Sequence, residues 1–251
     1  MDNQKNAPIA VVTGAGGNIG RHIALRLAAT GAKIAVVDCI AETVGKTADE
    51  IIAAGGDARA YVCDVKEYAA VHACADRIRA ELGNIGILVT AAGGSTRSHI
   101  TTLERQSPEI IADNIGVNLF GALWFAKEAA ADITARGEGG RIIFIASILG
   151  VQGREGCVEY SAAKGGIIAM SKALAKELGS FGATVNCVSP GLVNRPGDNT
   201  DVRPTNYLGE YCTAGDIADA VEFLASEKGK FITGHNLIVD GGRSLGLKGV
   251  K

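Results

Sequence analysis

Three residues whose side chains bind oxygen or move protons lie close together in this chain. Ser147 comes first, Tyr160 follows thirteen positions later, and Lys164 four after that. Four residues make about one helical turn, so in a helix Tyr160 and Lys164 share a face. A free phenol ionises only near pH 10, about three units above neutrality, and an ammonium beside it favours the phenolate. A serine hydroxyl opposite could hydrogen-bond the same oxygen that the phenol serves. An isolated Tyr-x-x-x-Lys is weak evidence, because most such pairs are a core tyrosine and a solvated lysine. The surrounding elements decide between the two readings.

Arg141-Ile-Ile-Phe-Ile-Ala-Ser147 is an apolar run ending in a hydroxyl, which suits a strand buried on both faces. A glycine-bearing loop, Leu149 to Gly153, follows. Tyr160 then opens a helix with Ile167, Met170, Leu174 and Leu178 at helical spacing and Lys172, Lys176 and Glu177 left for solvent. At the other end of the chain, Ile9–Thr13 reads as a strand, Gly14–Gly20 as a turn and Arg21–Thr30 as a helix burying Ile19, Ile23 and Leu27. Lys33–Asp38 returns as a second strand. A strand, a glycine-rich turn at a helix N-terminus and a second strand ending in an acid form a dinucleotide fingerprint. The bare N–H groups and the helix dipole meet pyrophosphate, and the carboxylate accepts ribose hydroxyls. Asp38, followed by neutral Cys39, favours NAD over NADP because it repels a 2′-phosphate.

The remaining pattern alternates. Ala41–Gly55 reads as a helix, 58–64 as a strand, Glu67–Leu82 as a helix and Ile85–Thr90 as a strand. A long helix is expected from Pro108 through Ala130, then the two segments above, then a strand at 184–189, a helix at 215–225 and a last strand from Asn236. This predicts an α/β, doubly wound Rossmann-type fold: a seven-stranded, mostly parallel sheet with helices on both faces. Residues 1–251 are expected to form one NAD(P)-binding domain, with a polar leader at 1–7 and a substrate loop at about 194–211. Asn118 sits inside the long helix, where an asparagine amide competes for backbone partners and so calls for a reason.

Taken together, these motifs resemble the short-chain dehydrogenase/reductase family in its small single-domain form, over nearly the whole chain. The resemblance implies hydride transfer between NAD and a secondary alcohol or ketone. Tyr160 would move the proton, Ser147 orient the substrate oxygen, Lys164 bind the nicotinamide ribose and lower the tyrosine pKa, and Asn118 complete a proton relay. For the cofactor it implies contacts from Gly14, Gly16, Gly17, Asn18, Ile19, Gly20, Asp38, Cys39, Asp64, Val65, Ala91, Ala92, Gly93, Pro190, Gly191 and Val193, besides Asn118, Tyr160 and Lys164. The chain departs from the family pattern at Asn18, where a glycine is usual, at Thr90-Ala91, where two asparagines are usual, and at Arg195, where threonine is usual. Asparagine's tolerance of left-handed backbone would accommodate the first change; the second would lose bracing hydrogen bonds. The family also implies a homo-oligomer, a tetramer or dimer, with the tail after Gly242 over a neighbour's pocket or frayed.

Composition bounds the rest. Glycine, at 34 residues, is nearly twice the usual ~7%. A net charge of -2 draws the chain to neither nucleic acid nor anionic lipid. The polar start and the lack of an apolar run of ~20 residues point to a cytoplasmic protein. The six cysteines and four histidines show no ligand spacing, so no metal is expected. Cys157, before Tyr160, is placed to line a pocket; Trp124 reads as packing. Arg97, Arg154, Arg195 and Arg203 are usual solvated loop charges, yet one or two could pair with a carboxylate or phosphate on the substrate. Two other readings stay open: an NADPH-dependent 3-oxoacyl-thioester reductase of fatty-acid synthesis, and a nonenzymatic dinucleotide sensor.

Overall fold

The computed structural model describes residues 7–94, 100–194 and 205–246. Seven strands form one sheet in the order β3-β2-β1-β4-β5-β6-β7. They are β1 (Ile9–Thr13), β2 (Lys33–Asp38), β3 (Asp57–Val62), β4 (Ile85–Thr90), β5 (Arg141–Ile145), β6 (Thr184–Pro190) and β7 (Asn236–Val239). Every pairing is parallel. Parallel strands need helical crossovers, which cover both faces and explain why the central strands are apolar throughout.

Alternation along the strands divides the core. Val11, Leu88 and Phe144 face α3 (Tyr68–Glu81), α5 (Gly121–Arg136) and α7 (Val158–Leu178), meeting Val71, Phe125 and Ile167. Ala10, Val12 and Ile143 face the other way, toward α1 (Asn18–Ala29), α2 (Ala41–Ala53) and α8 (Ala214–Ala225), meeting Ile23, Val44 and Ile217. Each fully buried side chain of this size contributes about 2 kcal/mol of transfer free energy, so the sheet is fixed strongly from both sides. Chain connections leave β1 and β4 in opposite directions, and that switch point opens a crevice at the carboxyl ends of the strands. Gly14 lies at its base with φ +67, and a Cβ there would come within 2.6 Å of the Ala91 and Ala92 backbone. Only glycine lets the two turns meet.

Three local expectations are corrected. The long helix is not continuous: α4 (Pro108–Ile115) passes into a π turn (Gly116–Phe120) before α5. The Asn118 amide donates to the Asn114 carbonyl at 3.0 Å, and the Gly121 N–H bonds back to Gly116, five residues earlier. Helix α1 starts at Asn18 rather than Arg21, and no described residue other than glycine has positive φ. Asn18 therefore needs no left-handed tolerance, because helical backbone suits it. Finally, Leu149–Gln152, expected as loop, is a short helix, α6, ended by Gly153 at φ 70. Among the described residues no helix is long and apolar enough to cross a membrane.

Candidate active site

A cleft of about 650 Å³ lies over the carboxyl ends of the strands. Its reactive corner is built where β5 runs out toward α7. Ser147 lies two residues beyond the end of β5, is 8% exposed, and its Oγ accepts the Leu149 N–H at 3.1 Å. That bond comes from the first residue of α6, so the short helix holds the hydroxyl in place. Tyr160 lies in the first turn of α7, half-buried, and Lys164 one turn on. The Lys164 Nζ sits 5.6 Å from the Tyr160 ring centroid and donates to the Ile145 carbonyl at 2.9 Å. Gly150 lets α6 pack close, since a Cβ there would come 2.6 Å from the Lys164 backbone carbon. Burial lowers the Lys164 pKa from its ordinary 10.5 to about 8. An ammonium held in so dry a place acts on its neighbours through a low dielectric.

Asn118 is buried behind this corner rather than on the cleft surface. Its Oδ1 accepts the Gly94 N–H at 3.2 Å, and its Nδ2 donates to the Gly94 carbonyl at 3.1 Å. The side chain thus clamps the turn after β4. Gly93, at φ +142, fits between: a Cβ would come 2.3 Å from Asn118 Oδ1 and 3.6 Å from Lys164 Nζ. Asn114, one turn back, donates to the Gly94 carbonyl at 3.4 Å and accepts from Asn118. Sequence reasoning missed this second asparagine. Its signal was there in Asn114-Ile-Gly-Val-Asn118, two poor helix-interior residues one turn apart.

The opposite end of the cleft lies beyond β2, three strands from β5, about 14 Å away at normal strand spacing. Asp38 there accepts the Cys39 N–H at 2.7 Å and the Gly16 N–H at 3.1 Å. Every other anticipated residue lines the cleft except Gly16. Gly16 instead meets Thr43, whose Oγ1 would be 2.2 Å from an added Cβ. Gly20 packs α1 against the turn, where a Cβ would strike the Gly14 carbonyl at 2.2 Å. Bare backbone at Gly14 and Gly17, a helix N-terminus and an acid at the far end fit a dinucleotide. Cys157 lines the cleft, and so do Lys66, paired with Asp113 at 2.8 Å, Arg154 and Arg243. Trp124 packs on Tyr68 and Phe120. Arg97, His99, Arg195, Arg203 and most of the anticipated substrate loop lie outside the described residues.

A family model described as enoyl-(acyl carrier protein) reductase matches residues 14–244. The chain belongs to the short-chain dehydrogenase/reductases. It is 38% identical to the 3-oxoacyl-(acyl-carrier-protein) reductase of Escherichia coli, over 93% of this chain and 96% of that protein. Against the D-threitol dehydrogenase of Mycolicibacterium smegmatis the identity is 33%, over 98% and 96%. A crystal structure described as ribose-5-phosphate isomerase from Brucella melitensis 16M matches with a TM-score of 0.85 at 35% identity, covering 95% of this chain and 92% of that one.

The departures from the short-chain dehydrogenase/reductase pattern have visible consequences. Asn18, replacing a glycine, donates to the Asn194 carbonyl at 3.1 Å and so bridges the first turn to the segment after β6. Thr90 Oγ1 is buried without a partner among the described residues. Thr13 braces the same turn, accepting the Ala92 N–H at 3.2 Å.

Proposed function

We propose that this oxidoreductase transfers a hydride between NAD(H) and a secondary alcohol or the matching ketone: a small alcohol, polyol or hydroxy acid. The observation that carries the reading is the convergence of Ser147, Tyr160 and the buried Lys164 on one end of a cleft whose other end presents the Asp38 carboxylate. A bound nicotinamide supplies the hydride acceptor or donor. The chain's own residues handle the oxygen. Ser147 donates to the substrate oxygen and stabilises negative charge developing there. Tyr160 takes the hydroxyl proton in oxidation and returns one in reduction. Lys164 favours the phenolate and bonds ribose hydroxyls. Asn118 holds the Gly93–Gly94 turn against Lys164. Asp38 accepts ribose hydroxyls and repels a 2′-phosphate.

A second reading, an NADPH-dependent 3-oxoacyl-thioester reductase, is favoured by the 38% identity to the Escherichia coli enzyme. Asp38 opposes it. Incubating purified protein with NAD⁺ or NADP⁺ and a panel of secondary alcohols, and with NADH or NADPH and a 3-oxoacyl thioester, while following nicotinamide absorbance, separates them. Turnover with NADPH and thioester alone would replace the first reading by the second. Dinucleotide binding without turnover of any carbinol or ketone would favour a sensor.

A further inference from the structure

Two arginines that line the cleft lack, among the described residues, the partners that the other described arginines have. Every other arginine among the described residues is bonded to a carboxylate or to a main-chain carbonyl. Among the described residues Arg154 and Arg243 have no ion pair, and both line the cleft. They come from distant parts of the sequence but from adjoining structure. Gln152, two residues before Arg154, donates its side-chain amide to the carbonyl of Ser244, the residue after Arg243, at 3.0 Å. One hydrogen bond thus joins the two segments that carry the guanidinium groups.

The turn bearing Arg243 is built to present it. Asp240 is the nearest acid along the chain, and it spends both oxygens on main-chain N–H groups: Gly242 at 2.8 Å and Ser244 at 2.7 Å. The carboxylate fixes the turn instead of pairing with the arginine. The same turn packs against the segment after β6, where a Cβ on Gly191 would come 2.8 Å from the Asp240 Cβ. Arg154 is set in the loop that runs to Tyr160, its carbonyl accepting the N–H of buried Cys157 at 3.1 Å. Two cations without a described counter-ion in the cleft that Ser147 and Tyr160 also line raise its potential for an anion, and a guanidinium matches the planar oxygens of carboxylate or phosphate.

We infer that Arg154 and Arg243 form an anion subsite, and that the substrate is a secondary alcohol or ketone carrying a carboxylate or phosphate on the side of the reacting carbon away from the nicotinamide. The inference rests on the oxidoreductase reading of the cleft. It adds a substrate class and two specificity-determining residues.

The experiment compares charged and neutral partners on wild type, Arg154→Gln, Arg243→Gln and the double variant. The probes are 3-hydroxybutanoate against its methyl ester, and glycerol 3-phosphate against glycerol. Calorimetric titration of NAD⁺ comes first, then titration of each probe into the NAD⁺ complex, with kcat/KM measured alongside. Wild type is expected to favour the charged partner of at least one pair by tenfold or more, and each substitution to remove about tenfold of that preference, through KM. The pair that responds tells carboxylate from phosphate. Failure of NAD⁺ to bind would overturn the NAD-dependent reading on which the inference rests. With NAD⁺ bound, equal binding of charged and neutral partners, or a preference that survives in the double variant, would overturn the anion subsite alone.

Discussion

Replacing Lys164 by methionine keeps an unbranched side chain, one atom shorter, while removing the buried charge, and the result depends on pH. The lysine pKa stands at about 8 in the folded protein against an ordinary 10.5, because burial penalises the ammonium. At about 1.4 kcal/mol per pH unit, this amounts to a cost of about 3 kcal/mol borne by the folded state. Below pH 8 both folded and unfolded chains carry the charge, so the cost is present in full. Between about 8 and 10.5 the unfolded chain holds a proton that the folded chain has released, and stability climbs with pH. Above 10.5 neither is charged and the cost is gone. Loss of the bond to the Ile145 carbonyl adds an offset that does not vary with pH in this way. Urea unfolding of cofactor-free wild type and Lys164→Met at pH 7, 8, 9 and 10 should therefore show wild type gaining on the variant by about 2 to 3 kcal/mol across the series. Parallel stability curves, within about 0.5 kcal/mol, would refute a desolvated ammonium at this position. The variant should also lose turnover at every pH, since nothing then favours the Tyr160 phenolate.

With Tyr160 in the proposed role, Tyr160→Phe should lower kcat by about 10³-fold and leave dinucleotide affinity from fluorescence titration nearly unchanged. Asp38→Ser combined with Cys39→Arg should move the kcat/KM ratio toward NADP⁺ by about tenfold or more, through removal of the repelling carboxylate and addition of a phosphate-binding cation. Asn114→Leu leaves Asn118 Nδ2 without its carboxamide partner and the Gly94 carbonyl with one donor fewer. Its effect should appear as weaker dinucleotide binding, with the pH profile of kcat unmoved and Asn114→Asp recovering part of the loss; a shifted pH profile would place Asn114 in the proton relay instead.

The sheet was legible because its strands are short apolar runs bounded by glycine and polar turns. Ile85–Thr90 is the strand in both sequence and structure. That Ser147, Tyr160 and Lys164 come together at one cleft was legible because their types and spacing fit a strand, a loop and one helix face. The π turn was hidden: apolar residues on either side of Asn118 keep helical spacing, and one additional residue between them barely disturbs the pattern. Arg243 was hidden for another reason. It follows the last strand in what reads as a terminal tail, and only the carboxylate of Asp240 and the amide of Gln152 bring it back over the cleft. Neither is a pattern that a periodicity reveals.

The π turn between α4 and α5 amounts to a surplus residue, one more than an α-helix needs to join the same two ends. Deleting a residue there would relax the winding into an ordinary helix and give back a normal hydrogen bond. It would also swing everything upstream by about 100° relative to α5, taking Asn114 off Gly94 and leaving the turn after β4 unheld. Shortening the chain at this point would therefore exchange the alignment of one wall of the cleft for a better-formed helix.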